Sequence, residues 1–587
     1  MPLKLYADNL SQARDPITAD GEAENEFPSP QVQIAVKTIM HESTQPANPT
    51  GASRRAFLKT SATAISAAAV GQLATGVNTR AAEPAPVAPT AAPVLPRTVH
   101  PYPNKVTWGA GTFSLGRRVT LTVGSDVNPD VIEMMKETWR QFTLGAVTLE
   151  VTRDVRQSGS QFALAPANQS FNEPPKREPK ATYALSVDAS GAAATATDAT
   201  GVRHAWFTLL QLLQAENSVN GGLGFTLAHV EIQDWPALQF RGLHLCVFPE
   251  TTPLMIEKAI RLAAFFKFTH VVLEFWGMLR LEALKELAWP QAWNKEQAGG
   301  LVKIARGMGL EVVPMFNGWG HATGSRIRHG RHVVLDQNPQ LAALFEPDGW
   351  TWCLTNPRAQ AIIRSVCNEL IEFAGPGKFF HMGCDEAYSH ATCDRCRQTD
   401  RVQLFADHIN QLAGHLEKRG RRAIMWGDPL LERAKWSSDY RANGTPSLPT
   451  HETIGRISRR IVIADWQYNI PKGDIATLAH FRKHGFETLG CSWNVLGNIR
   501  TQAKAITANT SLGLLMTTWH HLAQSIPTLA FVAAAAWSEN QAALDMKQAS
   551  NDLSLTATAT LLRKLVPAGG KFESAGWNSF EMPVHVF

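Results

Sequence analysis

The sequence predicts an α/β fold: a (β/α)8 TIM barrel preceded by a small α+β domain. Three observations carry this. From Arg241 onward, eight short apolar segments alternate with helix-like stretches over about 300 residues, as parallel strands with crossover helices do. No G-x-G-x-x-G follows the first of these segments, which disfavours the rival doubly wound sheet. Several segments end in Trp, His, Asp or Glu, and a barrel gathers its strand ends at one rim.

Residues 1–82 read as a leader. Ser53-Arg54-Arg55-Ala56-Phe57-Leu58-Lys59 stands ahead of a mild, Ala-rich apolar stretch, the pattern of a twin-arginine export signal. It predicts engagement of the twin-arginine export machinery and a periplasmic or secreted protein. Cleavage is expected near Ala81 or Ala82, and Met40 is an alternative start. The apolar stretch is too short and too rich in Ala and Thr for a stable membrane span. Residues 83–96, mostly Ala and Pro, read as a flexible linker.

Residues 97–235 form the predicted small domain, with strands at 119–123, 182–187 and 193–197 and helices at 129–142 and 201–215. Residues 236–550 form the predicted barrel. Its strands are expected at 242–248, 269–275, 310–316, 378–383, 422–426, 461–466, 487–493 and 513–519, with helices such as 253–266, 295–308, 357–373, 401–419 and 475–484 between them. Residues 551–587 are a tail with no legible role.

Composition narrows the function. The net charge of +5 is small for 587 residues, and no basic run is interleaved with aromatics, so nucleic acid is not an expected partner. The 17 Trp residues suit either core packing or flat platforms for sugar rings. Seven cysteines spread over a long chain are not a disulfide scaffold. Cys393-Asp394-Arg395-Cys396 is a single C-x-x-C with no second pair near it, so a local disulfide or two thiols is expected rather than a metal site. Folding before export further favours thiols. Neither metal nor cofactor is expected.

The chemistry concentrates in Phe379-Phe380-His381-Met382-Gly383-Cys384-Asp385-Glu386, a short apolar strand ending in two adjacent carboxylates. Around it the strand ends supply Arg241, His321, Trp426, Asp428, Trp466, Tyr468, Trp493 and Trp519. No nucleophilic Ser or Cys stands beside a His, whereas acids and aromatics fit glycoside hydrolysis. Two ordinary glycosidase carboxyls flank the scissile bond from opposite sides, and neighbours on one strand cannot easily straddle a ring. They serve if one meets the glycosidic oxygen and the other a substituent that acts as nucleophile, such as a 2-acetamido group. Blander readings stay open: Arg241 as a structural ion pair, His321 as a satisfied rim histidine, any one Trp as core.

At these residues the chain resembles the β-N-acetylhexosaminidases of glycoside hydrolase family 20. His381-x-Gly383-x-Asp385-Glu386 resembles the catalytic signature, and its Gly-Cys-Asp-Glu form, with the later Cys393, resembles the hexosaminidase D branch. Tyr183–Leu213 resembles the family's small domain, and Ile232-Gln233-Asp234-Trp235-Pro236 with Phe240-Arg241-Gly242-Leu243 the entry to its first barrel strand. The resemblance implies Glu386 as general acid/base with a raised pKa. Asp385 would stay ionised to orient the acetamido group and stabilise an oxazolinium intermediate. It further implies Arg241 on the sugar hydroxyls, Trp426, Trp466 and Trp519 as walls of the pocket, and His321 supporting the acid pair. The sequence departs from the family where Cys246 replaces an Asp, where Met315-Phe316-Asn317 lacks an acid, at Trp493-Asn494, and at Trp519-His520-His521. Tyr468 is the candidate to replace a lost tyrosine. These departures leave two alternatives: a glycosidase of this scaffold acting on another sugar, or a glycan-binding protein without activity.

Overall fold

A computed structural model describes residues 99–125, 127–153, 161–166, 180–217, 223–275, 277–322, 338–519 and 522–538. The leader, the linker, His520, His521 and the tail lie outside the described residues.

The first layer is a mixed sheet with two helices. Its elements are β1 (Lys105–Ser114), β2 (Arg118–Val123), α1 (Pro129–Phe142), β3 (Thr148–Thr152), β4 (Phe162–Pro166), β5 (Tyr183–Asp188), β6 (Gly191–Ala196), α2 (Ala199–Leu212), β7 (Leu213–Asn217) and β8 (Leu223–Asp234). The strands run β1-β8-β5-β6-β4-β2-β3, with β7 also paired to β8. Asn128 caps α1, accepting from the Asp130 N–H at 2.8 Å with Pro129 opening the first turn, a combination that starts a helix without an orphaned donor.

The barrel follows: β9 (Phe240–Cys246), α3 (Pro253–Phe265), β10 (His270–Glu274), α4 (Lys295–Gly307), β11 (Glu311–Met315), α5 (Pro357–Ala374), β12 (Phe379–His381), α6 (Arg401–Lys418), β13 (Arg422–Trp426), β14 (Val462–Asp465), α7 (Ala476–Lys483), β15 (Glu487–Ser492), α8 (Leu496–Ala508), β16 (Gly513–Met516) and α9 (Leu522–Trp537). The eight strands pair in parallel in chain order, and β16 closes onto β9. Asn294 and Gln297 form a capping box on α4, and Asn356-Pro357 opens α5. Among the described residues no helix is long and apolar enough to cross a membrane.

Side chains alternate along each strand. Phe240, Val272, Val313, Met315, Phe379, Ile424, Val462, Ala464, Leu489, Cys491 and Leu515 fill the lumen, while Leu243, Leu245, Val271, Leu273 and Val312 belong to the core shared with the helices. The lumen positions nearest the C-terminal strand ends become polar or aromatic, and there the site forms.

The small domain is tied to the barrel by a buried ion pair. Lys267, in the α3–β10 connection, donates to Asp234 Oδ2 at 2.9 Å, and both side chains are fully buried. Asp234 also accepts from the Tyr183 hydroxyl (2.7 Å), the Trp537 indole (2.7 Å) and Asn104 (3.0 Å). Arg241 belongs to this junction, which corrects its placement at the rim. It sits at the N-terminal end of β9, one residue out of phase with lumen-facing Phe240. It is 1% exposed, and its guanidinium donates to the carbonyls of Lys267 (2.7 Å) and Leu238 (2.6 Å) and lies over the Trp537 ring. A strand residue at that end and on that face cannot reach a ligand at the opposite mouth.

Candidate active site

The site begins where β12 stops. After His381 the chain turns through Gly383 (φ +65°), Cys384 (φ +71°) and Glu386 (φ +45°). Left-handed backbone at two non-glycine residues so close together is uncommon and is held by its surroundings. Those surroundings are the loop after β11. The Gly318 N–H donates to the Met382 carbonyl at 3.0 Å, and the Phe316 N–H to the His381 carbonyl at 3.0 Å. A Cβ on Gly320 would lie 2.0 Å from the Asp385 carbonyl oxygen, so only glycine lets the two loops meet backbone to backbone.

This contact brings His321 (φ +52°) over both acids. Its Nε2 lies 3.2 Å from Glu386 Oε2 and 3.5 Å from Asp385 Oδ2. Burial alone would lower the imidazole pKa, but the Asp385 charge and the hydrogen bonds to both carboxylates outweigh it and raise it to about 10. His321 is therefore an imidazolium at neutral pH. The Tyr388 hydroxyl donates to Glu386 Oε1 at 2.8 Å, and the Trp350 indole donates to the Glu386 carbonyl at 2.9 Å.

The two acids sit in different surroundings. The Asp385 side chain is 9% exposed, that of Glu386 29%. Burial pushes the Asp385 pKa up, His321 opposes this, and Glu386 and Glu274 add to it. Of the two acids, Asp385 is the more deeply buried. Its Oδ1 has no hydrogen-bond partner among the described residues, so one acceptor inside the site is uncommitted.

Aromatic side chains gather at the same strand ends, and Tyr468 among them is near enough to feel the Asp385 charge. Trp426 ends β13, is buried, and stands 4.3 Å from the His381 ring and 6.0 Å from Trp519. Trp466, Tyr468 and Trp493 continue the wall, with centroids 5.4 Å and 5.8 Å apart. The Tyr468 hydroxyl accepts from the Trp519 indole at 3.0 Å and lies 2.9 Å from the Thr517 hydroxyl. Asp428 is near but differently employed. Both its oxygens are occupied, by the Trp466 indole (2.8 Å) and by Asn443 (2.6 Å). Burial first, then the charges of Asp385 and Glu386, raise its pKa well above the usual range. It orients Trp466 rather than presenting a free carboxylate.

One polar cluster was missed in the sequence. His244 Nε2 lies 2.8 Å from Glu274 Oε2, and Asn317 donates to Glu274 Oε1 at 2.5 Å, all three buried. The His244 ring is 4.6 Å from Trp519. Both His244 and Glu274 occupy lumen phases of their strands, in line with Phe240 and Val272, and that phase is the signal that would have found them.

Residues 97–235 match the model for glycosyl hydrolase family 20, domain 2, and residues 267–468 match that for the glycosyl hydrolase family 20 catalytic domain. A hexosaminidase D from Bos taurus is 23% identical over 235 residues, a match covering 37% of this chain and 60% of that protein. The chain thus spans about three fifths of the length of this curated relative. Among solved structures, an exo-β-N-acetylglucosaminidase from Vibrio harveyi in complex with N-acetylglucosamine superposes with a TM-score of 0.61 at 15% identity, covering 84% of this chain and 80% of that one. A mutant β-hexosaminidase from Streptomyces plicatus in complex with GlcNAc gives 0.58 at 17% identity, covering 84% and 97%. A Flavobacterium johnsoniae chitobiase gives 0.60 at 18% identity, covering 80% and 74%. Identities this low bear on the fold alone.

Proposed function

The chain belongs to glycoside hydrolase family 20, and from that premise we propose that it is an exo-acting β-N-acetylhexosaminidase that retains configuration through the substrate's own acetamido group. The observation that carries the reading is the juxtaposition of Asp385 and Glu386 under one histidine, at the barrel mouth where a cluster of tryptophans gathers.

Glu386, the more accessible acid and held by Tyr388, protonates the leaving oxygen as the C1–O bond breaks. The acetamido carbonyl oxygen attacks C1 from the other face, giving a cyclic oxazolinium and no covalent bond to the enzyme. The uncommitted Asp385 Oδ1 accepts the acetamido N–H and faces the positive charge that develops there. Glu386, now ionised, takes a proton from water as the water opens the ring at C1, which regenerates the acid. His321 supplies a positive charge that faces ionised Asp385 throughout and Glu386 once it has given up its proton. Trp426, Trp466, Trp493 and Trp519, with Tyr468, wall the pocket and the sugar face.

The acetamido dependence tests this. An aryl β-GlcNAc or β-GalNAc should be hydrolysed at least 100-fold faster than the matching aryl β-glucoside, because only the former carries its nucleophile; this is a lower bound on the order of the effect of a well-placed group. Equal rates would favour a glycosidase for another sugar. Buried Cys246 and Met315 motivate that second reading: they stand where the family pattern has acids, and Glu274 and Asn317 supply the polar groups nearby instead.

Export by the twin-arginine route is part of the proposal and rests on Arg54 and Arg55 in their motif. Replacing both by Lys should retain active protein in the cytoplasm on cell fractionation. Unchanged export of the variant would remove this part and leave the activity untouched.

A further inference from the structure

Folding changes the standing of the isolated C-x-x-C. The β11–α5 connection brings Cys353 and Glu346 to the loop after β12 that carries Cys393 and Cys396. Cys353 Sγ lies 3.5 Å from Cys393 Sγ and 3.6 Å from Cys396 Sγ. The three sulfurs and a Glu346 carboxylate oxygen all lie within 4.8 Å of one another. Zinc–sulfur bonds of about 2.3 Å place tetrahedral sulfurs about 3.8 Å apart, so these spacings match one ion rather than a cluster.

A second, independent observation points the same way. Glu346 is 1% exposed. Its Oε2 accepts from the Cys393 N–H (2.6 Å) and the Thr392 N–H (3.0 Å), whereas Oε1 is buried with no hydrogen-bond partner among the described residues. The Glu346 carboxylate is within reach of the Cys396 thiol, but an S–H is a weak donor, and a buried carboxylate oxygen with no stronger partner is costly unless a cation takes it. The surroundings also suit thiolates: the Cys396 N–H donates to Cys393 Sγ at 3.4 Å, and the Thr355 hydroxyl lies 3.2 Å from Cys396 Sγ, the kind of outer contact that orients metal ligands. Three soft sulfurs with one carboxylate oxygen, close enough to share one ion, favour zinc among the common divalent ions.

We propose that Cys353, Cys393, Cys396 and Glu346 bind one structural Zn²⁺. The ion staples residues 344–356 to residues 389–398. The same two segments are joined by the Ser389–Asp348 hydrogen bond, and the first also delivers Trp350 to the Glu386 carbonyl. The site therefore braces the backbone that carries the proposed acid, from behind, with no contact to substrate. It does not depend on the proposed activity.

The test is metal content of the full chain purified without chelators. About one zinc per chain is expected by elemental analysis, falling at least tenfold in Cys353→Ser and in Cys396→Ser. Should those variants fail to fold, the wild-type chain stripped with a chelator and reloaded with Co²⁺ gives a second readout: the visible absorption of tetrahedral cobalt with thiolate charge-transfer bands. A chain that carries no zinc and binds neither Zn²⁺ nor Co²⁺ overturns the proposal. So does zinc retained in full by folded Cys353→Ser, or a disulfide among these cysteines in the purified chain by non-reducing mass spectrometry.

Discussion

Glu386→Gln is expected to lower turnover of an aryl N-acetylhexosaminide by about 10²–10⁴-fold, the usual contribution of a positioned acid/base, while KM moves little. The variant keeps an oxygen to accept from Tyr388 or to face His321, but not both, and Asp385, the tryptophans and the loop after β11 are untouched. Binding therefore persists while proton delivery is lost. The leaving group separates this from a general disturbance of the site. A strongly acidic phenol needs little protonation to depart, so its bond cleavage should suffer less than that of a poor leaving group. A uniform loss across leaving groups points to misfolding, and near wild-type turnover removes Glu386 from the mechanism. Asp385→Asn makes the contrasting case: proton delivery remains, but the oxazolinium loses its counter-charge, and the penalty should not depend on leaving-group acidity.

Lys267→Met is expected to destabilise the protein by about 3–5 kcal/mol, the cost of stranding one partner of a buried ion pair. Met fills much of the same volume, so the loss reports charge rather than a void. Asp234 would keep its bonds from Tyr183, Trp537 and Asn104 but would lose the ammonium that faces it in a fully buried site. Denaturant unfolding followed by tryptophan fluorescence measures this, since Trp537 donates directly to Asp234. A shift under 1 kcal/mol would mean that the junction is held by its apolar contacts alone. The double variant Asp234→Asn/Lys267→Met should recover part of the loss, because it removes the second charge as well.

Which parts of this were legible in the sequence follows from how each signal arises. The barrel strands were readable because each is a short apolar run cut off by Gly, Pro or a polar residue. Most of the helices named carry their own caps, as at Asn128-Pro129, Thr252-Pro253 and Asn356-Pro357. α8 and α9 were not among them: α8 has no capping side chain, and α9 is apolar nearly all round, so no face stands out by period. In the small domain, β1 is mostly exposed and interrupted by two glycines, and only its pairing with β8 makes it a strand. Asp385 and Glu386 stood out because charge at the end of a buried run is rare. Arg241 was not legible as a junction residue because its neighbourhood in sequence is that of a barrel strand, and only the alternation along β9 sends residue 241 away from residues 240, 242 and 244. The Cys353 contribution had no local signal at all: forty residues separate it from Cys393, and only the return of the chain joins them.

The two-residue alternation in the barrel strands has a practical corollary for anyone recoding this chain. Each strand offers two nearly independent sets of codons. Diversifying Cys246, Met315, Trp493 and their in-phase neighbours would sample new sugars over an unchanged scaffold. Diversifying Leu243, Leu245 or Val271 would sample thermal tolerance and leave the choice of sugar alone. A combinatorial library that mixed the sets would spend most of its members on chains that fail for reasons unrelated to recognition. Restricted to the lumen set above the waist of the barrel, it would contain mostly folded proteins that differ in what they hold.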